Sequence, residues 1–241
     1  MVLAAKKDEL AMRYLTALRR LIRPKLARSR LPCARSQIRD YPWLWGALGQ
    51  IPSDVMFICE NPSEQGVKRA HRHPLGGQAP DFESQWWGGP RNYAARRFRW
   101  VLCELGLKTT PWDARGGWKC YITNLVKEVN VVRYQNALCL EAKKRQAKVW
   151  APILAWEIDR IRPQFIFCVG AKTYRLVRWL QREHLLSGFP VHPIWHYSAR
   201  GSDSAVRRRM LEGINVVLQG ASRSPARKRP ERPVPRDSFG A

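Results

Sequence analysis

Residues 55–63 read VMFICENPS, and this stretch decides how the rest of the chain is interpreted. Its apolar start, residues 55–59, is a continuous run typical of a strand buried on both faces of a parallel sheet. The polar residues that follow, Glu60 and Asn61, place hydrogen-bonding groups at the carboxyl end of this strand. In open α/β sheets that end is where ligands bind. The stretch therefore predicts a parallel sheet with a site at one edge.

The same pattern recurs along the chain, because apolar runs alternate with segments of helical periodicity. An apolar stripe that includes Leu10, Tyr14 and Leu18 predicts a helix over residues 5–22, which Pro24 is expected to end. The alternation predicts a three-layer α/β/α sandwich with a central four-stranded, mainly parallel sheet. Further strands are predicted over residues 120–126, 165–170 and 193–195, and further helices over residues 92–106, 142–161, from 172 onward, and 204–218.

Composition divides the chain into three parts. Residues 1–45 are predicted to be a basic helical extension packed on the core, and residues 46–220 to be the α/β domain. Residues 221–241, rich in Pro, Arg and Ser, are predicted to be a disordered basic tail. No run reaches the roughly eighteen apolar residues of a membrane span, and the N-terminal charges are in the wrong order for a secretory signal. A cytoplasmic, nucleoid-associated location is therefore expected.

The charge balance points to a polyanionic partner. The 241 residues include 43 Lys and Arg against 19 Asp and Glu, a formal net charge of +24. The tail contributes a net +4 of this, so subtraction leaves +20 on the folded part. Nucleic acid is the leading partner for such a surface, and an anionic membrane surface is the alternative. The six cysteines form no C-x-x-C pair and several lie in apolar runs, which predicts reduced core thiols.

Polar side chains follow three of the predicted strands, at the end where ligands collect. Glu60 and Asn61 follow the first strand, Asn124 lies at the end of the second, and His196 follows the last. Each has an ordinary structural explanation, since an Asn here is commonly a turn or helix cap and a His can be a satisfied core residue. Their convergence at one edge of a basic protein favours a functional site.

Taken in chain order, these segments resemble the uracil-DNA glycosylase superfamily, and its bacterial thermostable branch most of all. The resemblance extends from about residue 55 to residue 201, so it implies a uracil-DNA glycosylase-like fold. It rests on CENPS at 59–63, ITNLVK at 122–127, WAPIL at 150–154, FCVG at 167–170 and HYSARG at 196–201.

The departures from that branch concern its iron–sulfur cluster. Its four cysteine positions fall here on Cys33, on a position near Ser36 whose cysteine is lost, on Glu128 and on Trp150. Because thiolates hold such clusters, the cluster is predicted to be absent, and no other cofactor or metal is expected. Cys59 stands where the family has Gly, and Tyr197 where it has Pro. The basic stretch at 143–146 lacks the histidine of a covalently trapping variant, so trapping is not expected.

The resemblance also implies roles for the polar residues. His196 is the expected donor to uracil O2, where negative charge develops as the glycosidic bond breaks. Asn61 is expected to position the attacking water, with Glu60 as a helper. The Asn124 carboxamide offers an acceptor and a donor that match uracil N3–H and O4, whereas cytosine presents the opposite pattern. Ser63 leaves room beside the base, so thymine must be excluded elsewhere or incompletely.

Aromatic and basic residues complete the expected site. Trp86 is the first candidate to stack on the flipped base, with Trp87 and Phe82 as competitors, although all three could instead pack the core or cover a loop. Contacts to DNA phosphates are expected from one loop and the helix after it, although the Arg run could instead be a solvated helix face. The residues concerned are Ser198, Arg200, Gly201, Arg207 and Arg208.

The sequence therefore predicts a monomeric, monofunctional uracil-DNA glycosylase that leaves an abasic site and holds this product tightly. Its partners are uracil-containing DNA and the abasic product, with no membrane. Two alternatives stay open. One is a glycosylase for another base, such as hypoxanthine or xanthine, and the other is a non-catalytic protein that binds abasic or damaged DNA.

Overall fold

A computed structural model describes residues 2–27, 48–62, 93–110, 117–128 and 140–223. The predicted stacking residues Phe82, Trp86 and Trp87, together with Ser63, lie outside these ranges. So do Cys33 and nearly all of the tail predicted to be disordered.

The sheet has four parallel strands in the order β3-β2-β4-β5, with a short strand β1 added antiparallel at the β3 edge. The prediction of a central, mainly parallel four-stranded sheet is confirmed. Only β1 was missed, because two residues carry no detectable period. The strands are β1 (Leu48–Gly49), β2 (Val55–Cys59), β3 (Tyr121–Asn124), β4 (Phe165–Val169) and β5 (His192–Ile194).

Helices cover both faces of this sheet. The helices are α1 (Val2–Ala27), α2 (Tyr93–Glu104), α3 (Leu140–Ile161), α4 (Ala171–Arg182) and α5 (Asp203–Arg223). Met56 and Ile58 of β2 point into a buried cluster with α1, α3 and α4. Phe57 and Cys59 point the other way, into a cluster with α2 and α5. This alternation follows from the two-residue period of a strand, and it confirms the three-layer α/β/α sandwich.

Helix α1 differs from the prediction at both of its ends. It begins at Val2 and continues through Pro24 to Ala27, so the expectation that Pro24 ends it is wrong. Leu26 is fully buried in the core, and its packing stabilises the last turn despite the backbone hydrogen bond that proline removes. Tyr14 and Leu18 are buried as the stripe predicts, whereas Leu10 is 48% exposed.

The described cysteines are reduced. Cys59, Cys120 and Cys168 are buried free thiols, and Cys103 is half-buried, which confirms the prediction of core thiols for three of them. Burial raises the pKa of Cys59 and of Cys168 to about 12, so both stay protonated at neutral pH. Within the described ranges, no helix is both long and apolar enough to cross a bilayer.

Candidate active site

The ends of β2 and β3 bring Glu60, Asn61 and Asn124 together. Cys59, the last residue of β2, pairs with Asn124, the last residue of β3. The two chains stay joined beyond the strands, because Leu125 N–H donates to the Cys59 carbonyl (2.8 Å) and Val126 N–H donates to the Glu60 carbonyl (3.0 Å). The predicted convergence at this edge is therefore present for these three residues.

His196 reaches the same edge from the loop after β5, and Gly170 makes room for it. Gly170 directly follows β4 with φ at 90° and ψ at 148°, a conformation that is essentially restricted to glycine. A Cβ atom at this position would lie 3.1 Å from His196 Cδ2 and 3.2 Å from its Cβ. The imidazole thus rests against bare backbone at the end of β4, and any larger residue there would displace it.

Two contacts fix the tautomer of His196. The backbone N–H of Ser198 donates to Nδ1 over 3.1 Å, and the Ser198 hydroxyl lies 2.6 Å from the same nitrogen. A backbone N–H can only donate, so Nδ1 must accept, and the proton of the neutral ring lies on Nε2. Burial lowers the pKa of His196; Glu60 raises it in part and Lys172 lowers it further. The ring is therefore a neutral Nε2–H donor at neutral pH.

The side-chain carboxamides of Asn61 and Asn124 differ in their hydrogen bonding. Asn61 donates from Nδ2 to the Pro62 carbonyl over 2.7 Å, which orients its amide and leaves Oδ1 as an acceptor. The Asn124 side chain is half-buried, and it makes no hydrogen bond to another described residue. An unengaged carboxamide at the ligand-binding edge keeps both its donor and its acceptor for a ligand.

Glu60 is held by Lys143, a residue that sequence reasoning did not single out. Lys143 lies in the first turn of α3, and its Nζ donates to Glu60 Oε1 over 2.6 Å. The pair is largely shielded, with 12% of the Lys143 side chain and 24% of the Glu60 side chain exposed. Among the described residues no contact is made to Oε2, so this oxygen is the more accessible of the two to a water molecule or ligand.

A buried polar network lies behind Asn124. Lys127 Nζ donates to Glu157 Oε2 (2.5 Å) and to the Thr123 hydroxyl (2.5 Å), and both ionic side chains are completely buried. Thr123 and Tyr121 each donate to Glu157 Oε1 over 2.8 Å. Tyr14 of α1 closes the network, because its hydroxyl lies 2.8 Å from that of Tyr121. The strand that carries Asn124 is thereby tied to α1 and α3.

The predicted DNA-contact residues occupy distinct environments. Arg200 and Gly201 are exposed in the loop after β5. Ser198 directs both its N–H and its hydroxyl at His196. Arg207 lies against α2, with Nη2 3.4 Å from Glu104 and the guanidinium 5.5 Å from the Trp100 ring. Arg208 is exposed and lies 3.8 Å from Glu212, one turn along α5.

Glu128 and Trp150, the two residues expected at cluster-cysteine positions, are neighbours in space. Trp150 is fully buried, and its Nε1–H donates to Glu128 Oε1 over 3.2 Å. An indole and a carboxylate supply no thiolate, so these residues do not fit an iron–sulfur cluster. Throughout the described segments, no three His, Cys, Asp or Glu side chains are grouped so that they could hold a metal ion.

Cys59 and Tyr197, which are expected from the sequence to differ from the family pattern, pack in the same region. Cys59 lies in the cluster between the sheet, α2 and α5, and Tyr197 packs against that cluster. Burial raises the pKa of the Tyr197 hydroxyl, and the nearby Cys59 thiol raises it further. Phe98 of α2 stacks on Tyr197, with ring centroids 5.5 Å apart and planes 13° apart. The His196 loop is thus packed against the sheet and α2 through the Tyr197 ring.

The sandwich and its polar edge form an α/β domain with a candidate site at the carboxyl ends of the parallel strands. The chain belongs to the uracil DNA glycosylase superfamily, whose sequence model matches residues 47–219. This match confirms the superfamily to which the motifs pointed, and the family acts on DNA. No curated protein sequence matches the chain. Helix α1 lies outside the matched region, although its side chains contribute to the same core.

Proposed function

We propose that this protein excises uracil from DNA by hydrolysing the N-glycosidic bond, leaving an abasic site and an uncut strand. The observation that carries the proposal is the Nε2–H tautomer of His196, fixed by Ser198 at the edge that also holds Asn61 and Asn124. Superfamily membership supplies the general chemistry, and these residues supply its agents on this chain.

His196 is the proposed stabiliser of the leaving group. Cleavage leaves negative charge on uracil O2, and a neutral Nε2–H aimed at that oxygen donates to it without reorganisation. A protonated ring would bring an Nδ1–H against the N–H of Ser198, so the site favours the neutral form. The excision rate is then expected to fall as pH drops through the lowered pKa of His196.

Asn61 is the proposed water-positioning residue, and Glu60 is its helper. The Nδ2 contact to Pro62 leaves Asn61 Oδ1 free to accept from a water molecule. Glu60 can offer Oε2 to the same water, but its other oxygen is engaged by Lys143. The carboxylate therefore contributes mainly through its charge, which faces the positive charge that develops on the sugar.

Asn124 is the proposed reader of the base. Its carboxamide accepts from uracil N3–H and donates to O4, whereas cytosine would leave both groups without a partner. Each unpaired buried group costs about 1–3 kcal/mol. Trp86, with Trp87 or Phe82 as alternatives, is proposed to stack on the flipped base, and Ser63 to border it.

The remaining proposals concern partners and cofactors. Arg200 and Gly201 are proposed to contact phosphates beside the flipped nucleotide, with Arg208 further along α5. Arg207 is proposed to contribute less, because Glu104 and Trp100 engage its guanidinium. A net charge of +24 favours tight retention of the abasic product. We further propose a cytoplasmic monomer without a cofactor. The absence of an iron–sulfur cluster is supported by Glu128 and Trp150, which would supply no thiolate at two of the expected ligand positions.

Single-turnover assays test this function. Oligonucleotides with one uracil, one thymine or one hypoxanthine are mixed with excess protein, and base release is followed over time. Release of uracil, with His196→Ala and Asn61→Ala slower by about 10²–10³-fold, is the expected result. Release of hypoxanthine alone would move the proposal to the other-base alternative. Release of no base by the wild-type protein would overturn it.

One observation favours a second candidate, a non-catalytic protein that binds damaged DNA. Glu60, the carboxylate next to Asn61, is engaged by Lys143, so the described part of the chain places no unpaired carboxylate beside Asn61 as a base. Tight binding of an abasic-site duplex without release of any base would support this candidate.

A further inference from the structure

One side chain of α2, Arg97, forms several hydrogen bonds to the backbone of the loop that carries His196. Its Nη1 donates to the carbonyls of Ala199 (3.0 Å) and Tyr197 (3.4 Å). Its Nη2 donates to the Gly201 carbonyl over 3.1 Å, and its Nε donates to Asp203 Oδ1 over 2.7 Å. One guanidinium thus joins three carbonyls of the loop to the first residue of α5.

This arrangement suits arginine and no other side chain. The guanidinium is planar, permanently charged, and presents five N–H donors in a fixed fork, whereas lysine offers one compact ammonium group. The Arg97 side chain is 15% exposed, so its contacts are mostly shielded from water. Its hydrogen bond, followed by that of Arg96, lowers the pKa of the Asp203 carboxyl group. The junction between the loop and α5 is therefore held by a charge-assisted contact.

The neighbouring residue of α2 fixes the loop through packing. Phe98 stacks on Tyr197, directly after His196 in the chain. Gly170 supports the imidazole from the end of β4, and the Ala199 N–H donates to the His196 carbonyl over 2.9 Å. The loop is held between α2 and the sheet, and Arg97 supplies its polar contacts on the α2 side.

We propose that Arg97 is a positioning residue, which fixes the position and orientation of His196 by hydrogen-bonding the backbone of its loop. The catalytic consequence rests on the proposed function, because it requires His196 to act on the base. The structural consequence, an ordered loop with a shielded imidazole, holds for the protein without substrate. Misplacement of a catalytic group by about 1 Å can cost about 10²-fold in rate, so loss of Arg97 is expected to act at this scale.

Arg96 provides a matched control. It is adjacent in the chain and bonds Asp203 Oδ2 over 3.0 Å, yet no hydrogen bond joins it to Tyr197, Ala199 or Gly201 in the described structure. Arg97→Met and Arg96→Met remove the same charge and each remove one contact to Asp203. The hydrogen bonds to the Tyr197, Ala199 and Gly201 carbonyls are lost in Arg97→Met and kept in Arg96→Met, so loosening of this loop in Arg97→Met alone reports on them.

The first measurement needs no substrate. Amide hydrogen exchange over residues 195–203 and NMR titration of the His196 imidazole are recorded for wild type and both variants. Arg97→Met is expected to speed exchange in this loop by about tenfold or more. The pKa of His196, which faces Glu60 and Lys172, should rise because the ring gains water. Arg96→Met should change neither, and identical behaviour of the two variants would overturn the proposal.

The second measurement is single-turnover excision at saturating protein. Arg97→Met is expected to be slower by about 10²-fold, with Arg97→Lys in between and Arg96→Met within about threefold of wild type. If Arg97→Met fails to fold, Arg97→Lys decides the matter, and wild-type loop exchange in that variant would contradict the proposal. A wild-type protein that releases no base while Arg97→Met loosens the loop would refute the proposed function and leave the role of Arg97 standing.

Discussion

Lys143 Nζ lies 2.6 Å from Oε1 of Glu60, so the first turn of α3 forms an ion pair with the carboxylate beside the proposed water-positioning Asn61. Burial lowers the pKa of His196, and Glu60, the carboxylate that Lys143 binds, raises it in part. The pair therefore couples the water side of the site to the leaving-group side.

We expect Lys143→Met to shift the fall of the excision rate at low pH, the acid limb of its pH profile, to higher pH. Without the ammonium, Glu60 stabilises protonated His196 more strongly, so the pKa of His196 rises and the neutral donor is lost at a higher pH. Single-turnover rates across pH measure the limb. Lys144→Met, which breaks the more exposed pair with Glu141, is the control and should leave the limb in place. A limb unmoved by Lys143→Met would contradict the coupling.

Glu60→Gln tests whether this carboxylate is the base. Loss of a general base costs about 10²–10⁴-fold in rate. Because Lys143 engages Glu60, we expect a loss below about tenfold, smaller than that of Asn61→Ala. A loss of 10³-fold at constant DNA affinity would assign the base to Glu60 instead.

Gly170→Ala should damage both the site and its stability. The added Cβ would meet His196 at 3.1–3.2 Å, and the backbone conformation is costly for alanine. We expect a loss of about 1–3 kcal/mol in the free energy of unfolding and an excision rate lower by about 10²-fold. Gly188→Ala is the control, since nothing lies within 4 Å of a Cβ there. Equal effects of the two substitutions in denaturant titrations and assays would refute this account.

The buried pair of Lys127 and Glu157 should show strong energetic coupling. Removing one partner leaves an uncompensated buried charge, which costs about 3–5 kcal/mol. We therefore expect Lys127→Met and Glu157→Gln each to reduce the free energy of unfolding by about that amount, and the double variant to lose much less than their sum. Tyr14→Phe, at the rim of the network, should cost about 1 kcal/mol. Additive losses in urea titrations would show that the pair is not coupled.

Arg200 and Arg207 should differ in the salt dependence of DNA binding. Arg200 is exposed in the His196 loop, so Arg200→Met should lower affinity for all sequences and reduce the slope of log K against log salt by about 1. Arg207 is engaged by Glu104 and Trp100, so Arg207→Met should leave the slope nearly unchanged and lower stability slightly. Binding measured between low and moderate salt separates the two. The reverse pattern would place the phosphate contact on α5.

The sequence alone predicted the elements whose pattern is periodic over a few neighbouring residues. Apolar runs located β2, β3, β4 and β5, and chain order placed Asn124 and His196 at their carboxyl ends. The superfamily followed from the same segments. Each of these inferences depends on a residue and its near neighbours in the chain, where periodicity and strand direction suffice.

The missed residues act across long chain separations. Lys143 meets Glu60 from 83 residues away, and Arg97 meets the Ala199 carbonyl from 102 residues away. Gly170 ended a predicted strand, but its role depends on where the later His196 loop folds back. Lys127 was noted only as part of the ITNLVK segment, whereas the structure shows that it forms a buried ion pair with Glu157. Pro24 failed as a helix end because the buried Leu26 outweighs a local preference.

The contact between Tyr14 and Tyr121 also has a consequence for synthesis. The two residues are 107 positions apart, and a ribosome adding about 5–20 residues per second makes that stretch in about 5–20 s. During this interval α1 has left the ribosome while the strand and helix that cover it do not yet exist. Its apolar side, with Leu18, Ile22 and Leu26, is then without its final partners. Helix α1 thus depends on segments made much later to cover these side chains.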